Sequence, residues 1–252
     1  MLMNQSPLAP MVRKLEQWAT LTDVEREALL ALPYVLQSLA PNEAIIKEGD
    51  RATHSCLLRS GFAYRQKLVR TGARQILAVH MAGDMVDLQN SLLRIADHGV
   101  LALTAAEVAF IPREAVLDVA FKHRTIGEAL WFDTLVDGSL FRERIVGIGR
   151  RDGATRIAHL LCEFGLRLEV AGLGSHHEYE LPMTQEELGD CLGLTPVHVN
   201  RMLRILSDEA LIERKQRAVR IVDWAGLVRR GDFDGSYLHM RSECARLWNP
   251  VS

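Results

Sequence analysis

The stretch Met183 to Asp223, MTQEELGDCLGLTPVHVNRMLRILSDEALIERKQRAVRIVD, decides how the C-terminal part of the chain is read. Thr184 stands three residues before Glu187, so its hydroxyl can accept from the Glu187 backbone N–H while that carboxylate returns a bond to Thr184. A helix therefore starts at Gln185. Met183 and Leu188 occupy the two positions of a hydrophobic staple, Leu192 continues the apolar edge, and Gly193 offers the left-handed conformation that a tight turn needs. A second helix opens at once, with Thr195 as N-cap and Pro196 in the first turn, where its missing N–H costs nothing. Leu194 and Val199 form a second staple.

Val199, Met202, Leu203, Leu206 and Leu211 recur at helical spacing and predict an inward face, which leaves Val197, His198, Asn200, Arg201 and Arg204 pointing outward. Arg can present its planar fork to guanine O6 and N7, and Asn can pair with adenine in the same way, so Asn200 and Arg201 suit direct base reading. Arg204, one turn on, suits phosphate. The residues after it, Glu213 to Val222, read as two short strands about a basic turn in which Arg214, Lys215, Arg217 and Arg220 would supply sequence-independent phosphate affinity. Two capped helices, a Gly turn and a basic hairpin are the outline of a winged helix-turn-helix. Thr184, Gln185, Thr195, Pro196, Val197, His198, Asn200, Arg201, Arg204, Lys215 and Arg217 are its candidate DNA contacts.

The bulk composition gives no hint of this. With 30 Lys and Arg against 32 Asp and Glu over 252 residues, net charge says nothing of nucleic acid. The basic excess is local, since Val197 to Ile221 holds Arg201, Arg204, Arg214, Lys215, Arg217 and Arg220 against Asp208, Glu209 and Glu213. Cys56, Cys162, Cys191 and Cys244 are scattered with no C-x-x-C pair, so no metal is expected and reduced thiols in a cytoplasmic protein are the simplest reading. No apolar run approaches a membrane span, and no membrane partner is expected.

Upstream, Met1 to Pro10 carry no pattern and read as a loose tail. Apolar residues from Met11 to Leu39 recur at helical intervals, with Thr22 placed to cap a helix. From Pro41 the texture changes to short strands at Ala44–Ile46, Ser55–Leu58, Phe62–Tyr64, Gln75–Val79 and Ala102–Thr104, punctuated by Gly49, Gly61, Gly72 and Gly83. Glycine corners between short strands predict an antiparallel, jelly-roll-like β-roll of the kind that encloses a pocket, and the chain is thus α+β. Val108 to Arg113 closes the roll and Glu114 to Phe121 is a short helix. Thr125 to Gly149 reads as one long helix whose stripe Leu130, Thr134, Phe141, Ile145 and Ile148 predicts a partner helix. Arg150 to Gly153 is a hinge, and Ala154 to Val170 the first helix beyond it. The expected domains are 1–122 for the N-terminal helices and roll, 123–149 for the long helix, 150–224 for the winged helix-turn-helix and 225–252 for a C-terminal extension.

A roll, a long helix, a hinge and a winged helix-turn-helix together resemble the Crp/Fnr family of bacterial transcription regulators. The resemblance runs from about Leu29 to Val222 and is most specific over Met183 to Val222. Gly61-Phe-Ala, Gln75-Ile-Leu, Ala82-Gly-Asp84 and Arg151-Asp-Gly-Ala-Thr-Arg-Ile-Ala158 are similar to the family's signatures elsewhere. It implies a homodimer joined through the long helix, recognition helices in successive major grooves of a near-palindromic double-stranded DNA site, and contact with RNA polymerase. It also implies an effector in the roll acting through the hinge, with Gly83, Asp84, Asp87, Leu88, Phe141 and Arg142 about the pocket.

The departures from the family pattern bear on that effector. Where cyclic-AMP-binding members carry Gly-Glu for the ribose this chain has Asp87-Leu88, where they carry Arg-Ser for the phosphate it has Ala96-Asp97, and where they carry Thr-Ser it has Phe141-Arg142. The usual cyclic-AMP site is therefore expected to be missing. No cysteine precedes Cys56, so an N-terminal iron–sulfur cluster is not expected. No cofactor is predicted, with haem on His54, His80 or His98, or an unknown small molecule, left open. At the start of the recognition helix, Pro196-Val197 replaces the Arg-Glu of the best-known members while Arg201 matches, which points to different bases read by His198 and Asn200. A cyclic-nucleotide- or haem-responsive sensor on the same fold is the alternative. A cupin-like metalloenzyme would need further ligands beside His80, and His176-His177, adjacent in a loop, are expected to point apart; no enzyme is predicted.

Overall fold

The computed structural model describes residues 6–240. The last helical turns expected over Arg241 to Trp248, and Cys244, lie outside them. The chain divides into two compact units, one running to Gly138 apart from Arg74–Ile76, the other from Ser139 onward.

The first unit opens with α1 (Ala9–Leu15) and α2 (Asp23–Leu30), the latter capped by Thr22 as expected, with Glu25 completing a reciprocal box. The described end of the supposed loose tail is not loose, because Leu8 and Ala9 are buried in the core with Met11, Val12 and Leu15. The helical texture also stops earlier than its spacing suggested. Val35–Leu39 is a strand, β1, whose outer residues are exposed and whose Leu39 alone is buried.

Strands β2 (Ala44–Ile46), β3 (His54–Ser60), β4 (Phe62–Leu68), β5 (Arg74–Met81), β6 (Gly99–Ala102) and β7 (Ala106–Pro112) complete the roll. They form two sheets, in the orders β1-β7-β3 and β2-β6-β4-β5. β6 lies earlier than the expected Ala102–Thr104. Gly49, Gly61, Gly72 and Gly83 all have positive φ, and at Gly61 a Cβ would stand 2.3 Å from the Ala105 carbonyl oxygen, so this corner admits only glycine. Alternation along β3 serves two cores: Cys56 and Leu58 pack with Val100, Ala102 and Val108 inside the roll, while Leu57 packs with α1, α2 and the next two helices. Those helices are α3 (Arg113–Lys122) and α4 (Arg124–Arg150).

The second unit takes the end of α4 and then α5 (Gly153–Val170), capped by Asp152, whose Oδ1 accepts from Thr155 N at 2.9 Å. β8 (Glu178–Glu180), α6 (Gln185–Leu192), α7 (Pro196–Asp208), β9 (Ile212–Lys215) and β10 (Ala218–Ile221) follow, with the strands in the order β8-β10-β9. α7 ends at Asp208, so Leu211 is buried beyond the helix and not on it. Past the hairpin, leading into the expected C-terminal extension, Asp223 caps a further helix, α8 (Trp224–Arg230), which packs on α5.

A candidate nucleic-acid interface and the interior of the roll

The two-helix element is built as its caps require. Thr184 Oγ1 accepts from Glu187 N at 3.2 Å, and Glu187 Oε2 accepts from Thr184 N at 2.7 Å. Gly193 ends α6 at φ 66°, and Thr195 accepts from His198 N to start α7. Met183, Leu188, Leu192, Val199, Met202, Leu203 and Leu206 are buried. One glycine escaped the sequence reading: a Cβ on Gly189 would meet the Leu194 carbonyl oxygen at 2.4 Å, so α6 and the turn touch backbone to backbone there.

That packing turns the other face of α7 outward. Val197 is 81% exposed, and Thr195, Pro196, Asn200, Arg201 and Arg204 are exposed beside it, with His198 half-buried, Thr184 exposed and Gln185 half-buried on α6. His198 Nε2 lies 3.1 Å from Arg201 Nη2, so the imidazole can accept from the guanidinium and orient it. Arg204 reaches Asp208 at only 3.8 Å with both side chains in water, a pair worth little. On the hairpin, Lys215 and Arg217 are exposed around the turn, where Gln216 takes φ 57°. Arg220 pairs with its cross-strand neighbour Glu213 at 2.9 Å, and Arg214 is half-buried, its pKa lowered by that burial, donating to the Gln216 carbonyl. Of the four hairpin cations, Arg214 is thus turned inward and Arg220 is engaged by Glu213, with Lys215 and Arg217 exposed.

The residues expected around an effector pocket have other employment. Asp84, after Gly83 at φ 101°, accepts from Lys14 Nζ at 2.8 Å and from Met81 N at 3.1 Å. Lys14 also pairs with Asp133 of α4 at 2.9 Å. Burial works against its charge, but Asp133 and Asp84 outweigh that and raise its pKa. Asp87 is buried and accepts from Cys56 N at 2.7 Å, and Leu88 is packed in the helical core. Burial pushes the Asp87 carboxyl up to about 7 against the hydrogen bond from Cys56 and the field of Arg65. Phe141 and Arg142 fall in the second unit, where Arg142 donates to Ser139 at 2.7 Å.

A buried ion pair missed by the sequence reading crosses the roll instead. Arg65 of β4 donates to Asp137 of α4 at 2.6 Å and to the Val86 carbonyl at 2.8 Å. Asp133 and Asp137, four apart on α4, are thus each held by one cation of the first unit. Of the three histidines weighed as haem ligands, His54 is exposed, while His80 and His98 are buried and their pKa values lowered by it. His98 is engaged by Asp97 and Gln89, and His80 lies 3.4 Å from Asp84. Among the described residues no cluster of three His, Cys, Asp or Glu side chains could hold a metal. His176 and His177 do not point apart, since their rings stand 3.9 Å apart beside Trp224.

The stripe on α4 also needs rephasing. Leu130 is buried with Ile126 and Ala129, Thr134 turns its hydroxyl onto the Leu130 carbonyl, and Phe141 is half-buried. The exposed large apolar residues of α4 are Trp131, Phe132, Leu135, Ile145, Val146 and Ile148. At 3.6 residues per turn, Trp131, Leu135, Ile145 and Val146 fall within an arc of roughly 100°.

Residues 36–123 match the family model of the cyclic nucleotide-binding domain, and residues 155–230 that of the Crp-like helix-turn-helix domain. The chain belongs to the Crp/Fnr family of transcription regulators. Among its Crp/Fnr relatives, the fumarate and nitrate reduction regulatory protein of Vibrio cholerae is 24% identical over 211 residues, covering 83% of each chain. The probable transcriptional regulator flp of Lacticaseibacillus casei is 28% identical over 205 residues, 81% of this chain and 90% of that one. The solved structure of FixK2 from Bradyrhizobium japonicum shares the fold, with a TM-score of 0.71 at 23% identity over 79% of this chain and 97% of that one. The two matched segments fall on the Crp/Fnr roll and helix-turn-helix, and leave the body of α4 and everything past residue 230 outside both. No described helix is long and apolar enough to cross a membrane.

Proposed function

We propose that this Crp/Fnr regulator acts in the cytoplasm as a homodimer on near-palindromic double-stranded DNA, with α7 in the major groove, and performs no catalysis of its own. The outward face of α7 carries the reading: a buried apolar half and the Thr195 cap fix the helix, while Val197, Asn200, Arg201 and Arg204 are exposed with His198 half-buried beside them. Arg201 reads a base, oriented by His198. Asn200 reads a second, and Val197 supplies apolar contact of the kind that meets a thymine methyl. Lys215 and Arg217 meet phosphate. The exposed arc Trp131, Leu135, Ile145 and Val146 on α4 is the face a second copy would cover, and RNA polymerase is the further partner at promoters.

Cyclic AMP is not the effector in this reading. The family pattern would put Asp97, a carboxylate, where a phosphate needs a cation, and Leu88, which is buried in the core, where a ribose needs an acceptor. Binding is tested by titrating labelled duplexes. Arg201→Ala should cost roughly 1–3 kcal/mol on the preferred sequence and relax choice at one position, whereas Lys215→Ala should weaken every duplex alike. Equal losses for Arg201→Ala on selected and random DNA would remove it as a base reader.

A further inference from the structure

The helix-turn-helix match ends at residue 230, and the chain then packs back over α5. Gly231 lies against α5 so closely that a Cβ would stand 2.8 Å from the His159 backbone nitrogen. Phe233 and Leu238 are buried, and the His159 ring meets Phe233 edge-on at 5.1 Å and stacks on Tyr237 at 5.8 Å. His159 Nδ1 is 3.1 Å from the Gly231 carbonyl, which can only accept, so Nδ1 carries a proton. Nε2 lies 3.0 Å from the Tyr237 hydroxyl, and the same hydroxyl donates to Glu163 at 2.9 Å. Tyr237 thus links two buried groups of α5, its single hydroxyl hydrogen serving one of them at a time.

The same segment reaches α4. Asp232 accepts from Arg151 at 3.0 Å, and Arg151 pairs in turn with Glu143 of α4 at 2.6 Å. Glu163 lies 3.4 Å from Arg144 of α4, and His239 lies 3.2 Å from Ser139 of α4. Just before the segment, Arg230 donates to Thr155 at 2.6 Å and pairs with Glu209, the C-cap of α7, at 3.3 Å. The bend at Arg151-Asp152 between α4 and α5 is therefore spanned from outside by residues that hold both helices.

We propose that Gly231–His239 is a strap that fixes α5, and with it α7, against the last turns of α4. It lies outside the DNA interface and acts as a positioning element for DNA binding. An unstrapped bend would leave each recognition helix intact but poorly aimed, which costs most when two half-sites at a set separation must be met together. Tyr237 and Asp232 are its positioning residues. The DNA arm of this proposal rests on the regulator reading above, and the exchange arm does not.

The experiment compares the full chain with Tyr237→Phe, Asp232→Ala and the double variant by amide hydrogen exchange and by DNA titration. Exchange over residues 145–156 should quicken by about tenfold in the double variant while residues 185–208 keep their protection. On DNA, affinity for a single half-site should be kept, and the preference for one half-site separation over separations altered by one base pair should be lost. Unchanged exchange at 145–156, or equal quickening throughout 153–221, would overturn the strap. So would a retained separation preference. A parent chain that binds no DNA would sink the regulator reading alone, and exchange would still decide the strap.

Discussion

Asp87 is a buried carboxyl whose behaviour is set by its surroundings. Its carboxyl is buried behind β3, holds the Cys56 N–H, and is pushed up to about 7 by loss of water. The sign follows from linkage: a carboxyl whose folded pKa lies above its unfolded value near 3.9 lends stability below the unfolded value and loses it as pH rises through the folded one. Between pH 5 and 8 the parent should therefore lose stability relative to Asp87→Asn, by at most about 3–4 kcal/mol for a shift of this size. The amide can still accept from Cys56, so the comparison isolates the charge. Denaturant unfolding at several pH values checks it, and parallel pH profiles would show that the carboxylate is already ionised and tolerated. Buried groups of the opposite tendency accompany it. Asp137, where Arg65 outweighs burial, and neutral His80 both favour higher pH, which is why the variant difference is the quantity to read and not the bare profile.

At the scale of elements, the helix-turn-helix depends on close backbone approach as much as on its caps. Gly189→Ala would press a methyl onto the Leu194 carbonyl at 2.4 Å, so the turn must open or α6 must shift. The expected cost is about 1–3 kcal/mol, as for other strained small-to-large changes, with DNA affinity lost in step. Thermal unfolding measures it, and a chain with unaltered midpoint would show that the turn has slack. The contrast with Gly193 marks what sequence can disclose. Gly193 was legible because a left-handed cap has a local signature, as were Thr184 with Glu187, Thr195 with Pro196, and the glycine corners of the roll. Gly189 was not, because its reason is a neighbour brought near by the fold. Likewise Leu130 and Trp131 are adjacent and both apolar, and only the packing of Ile126, Ala129 and Leu130 onto the first unit's core decides that Trp131 is the one left outside. The Arg65–Asp137 and Lys14–Asp133 pairs join residues far apart in sequence and were invisible for the same reason.

Across the whole molecule, two compact units each carry a distinct kind of polar interior. The first buries acids of α4 against cations of α1 and the roll. The second buries a His, Tyr and Glu chain under an extension that the family match does not include. The residues of α4 belong to both units, and Trp131, Leu135, Ile145 and Val146 along it are exposed. Output on DNA is the claim on which the rest depends, and the chain's near-neutral overall charge means that affinity must come from a local basic face. The direct measurement is titration of the full chain with its own upstream DNA and with a scrambled duplex of equal length, across a salt series, by fluorescence anisotropy. The account predicts a dimer bound to the upstream duplex, preferred by at least about 10³ over the scrambled one, with log affinity falling linearly in log salt. Equal affinity for both duplexes, or no binding to either at low salt, would contradict it.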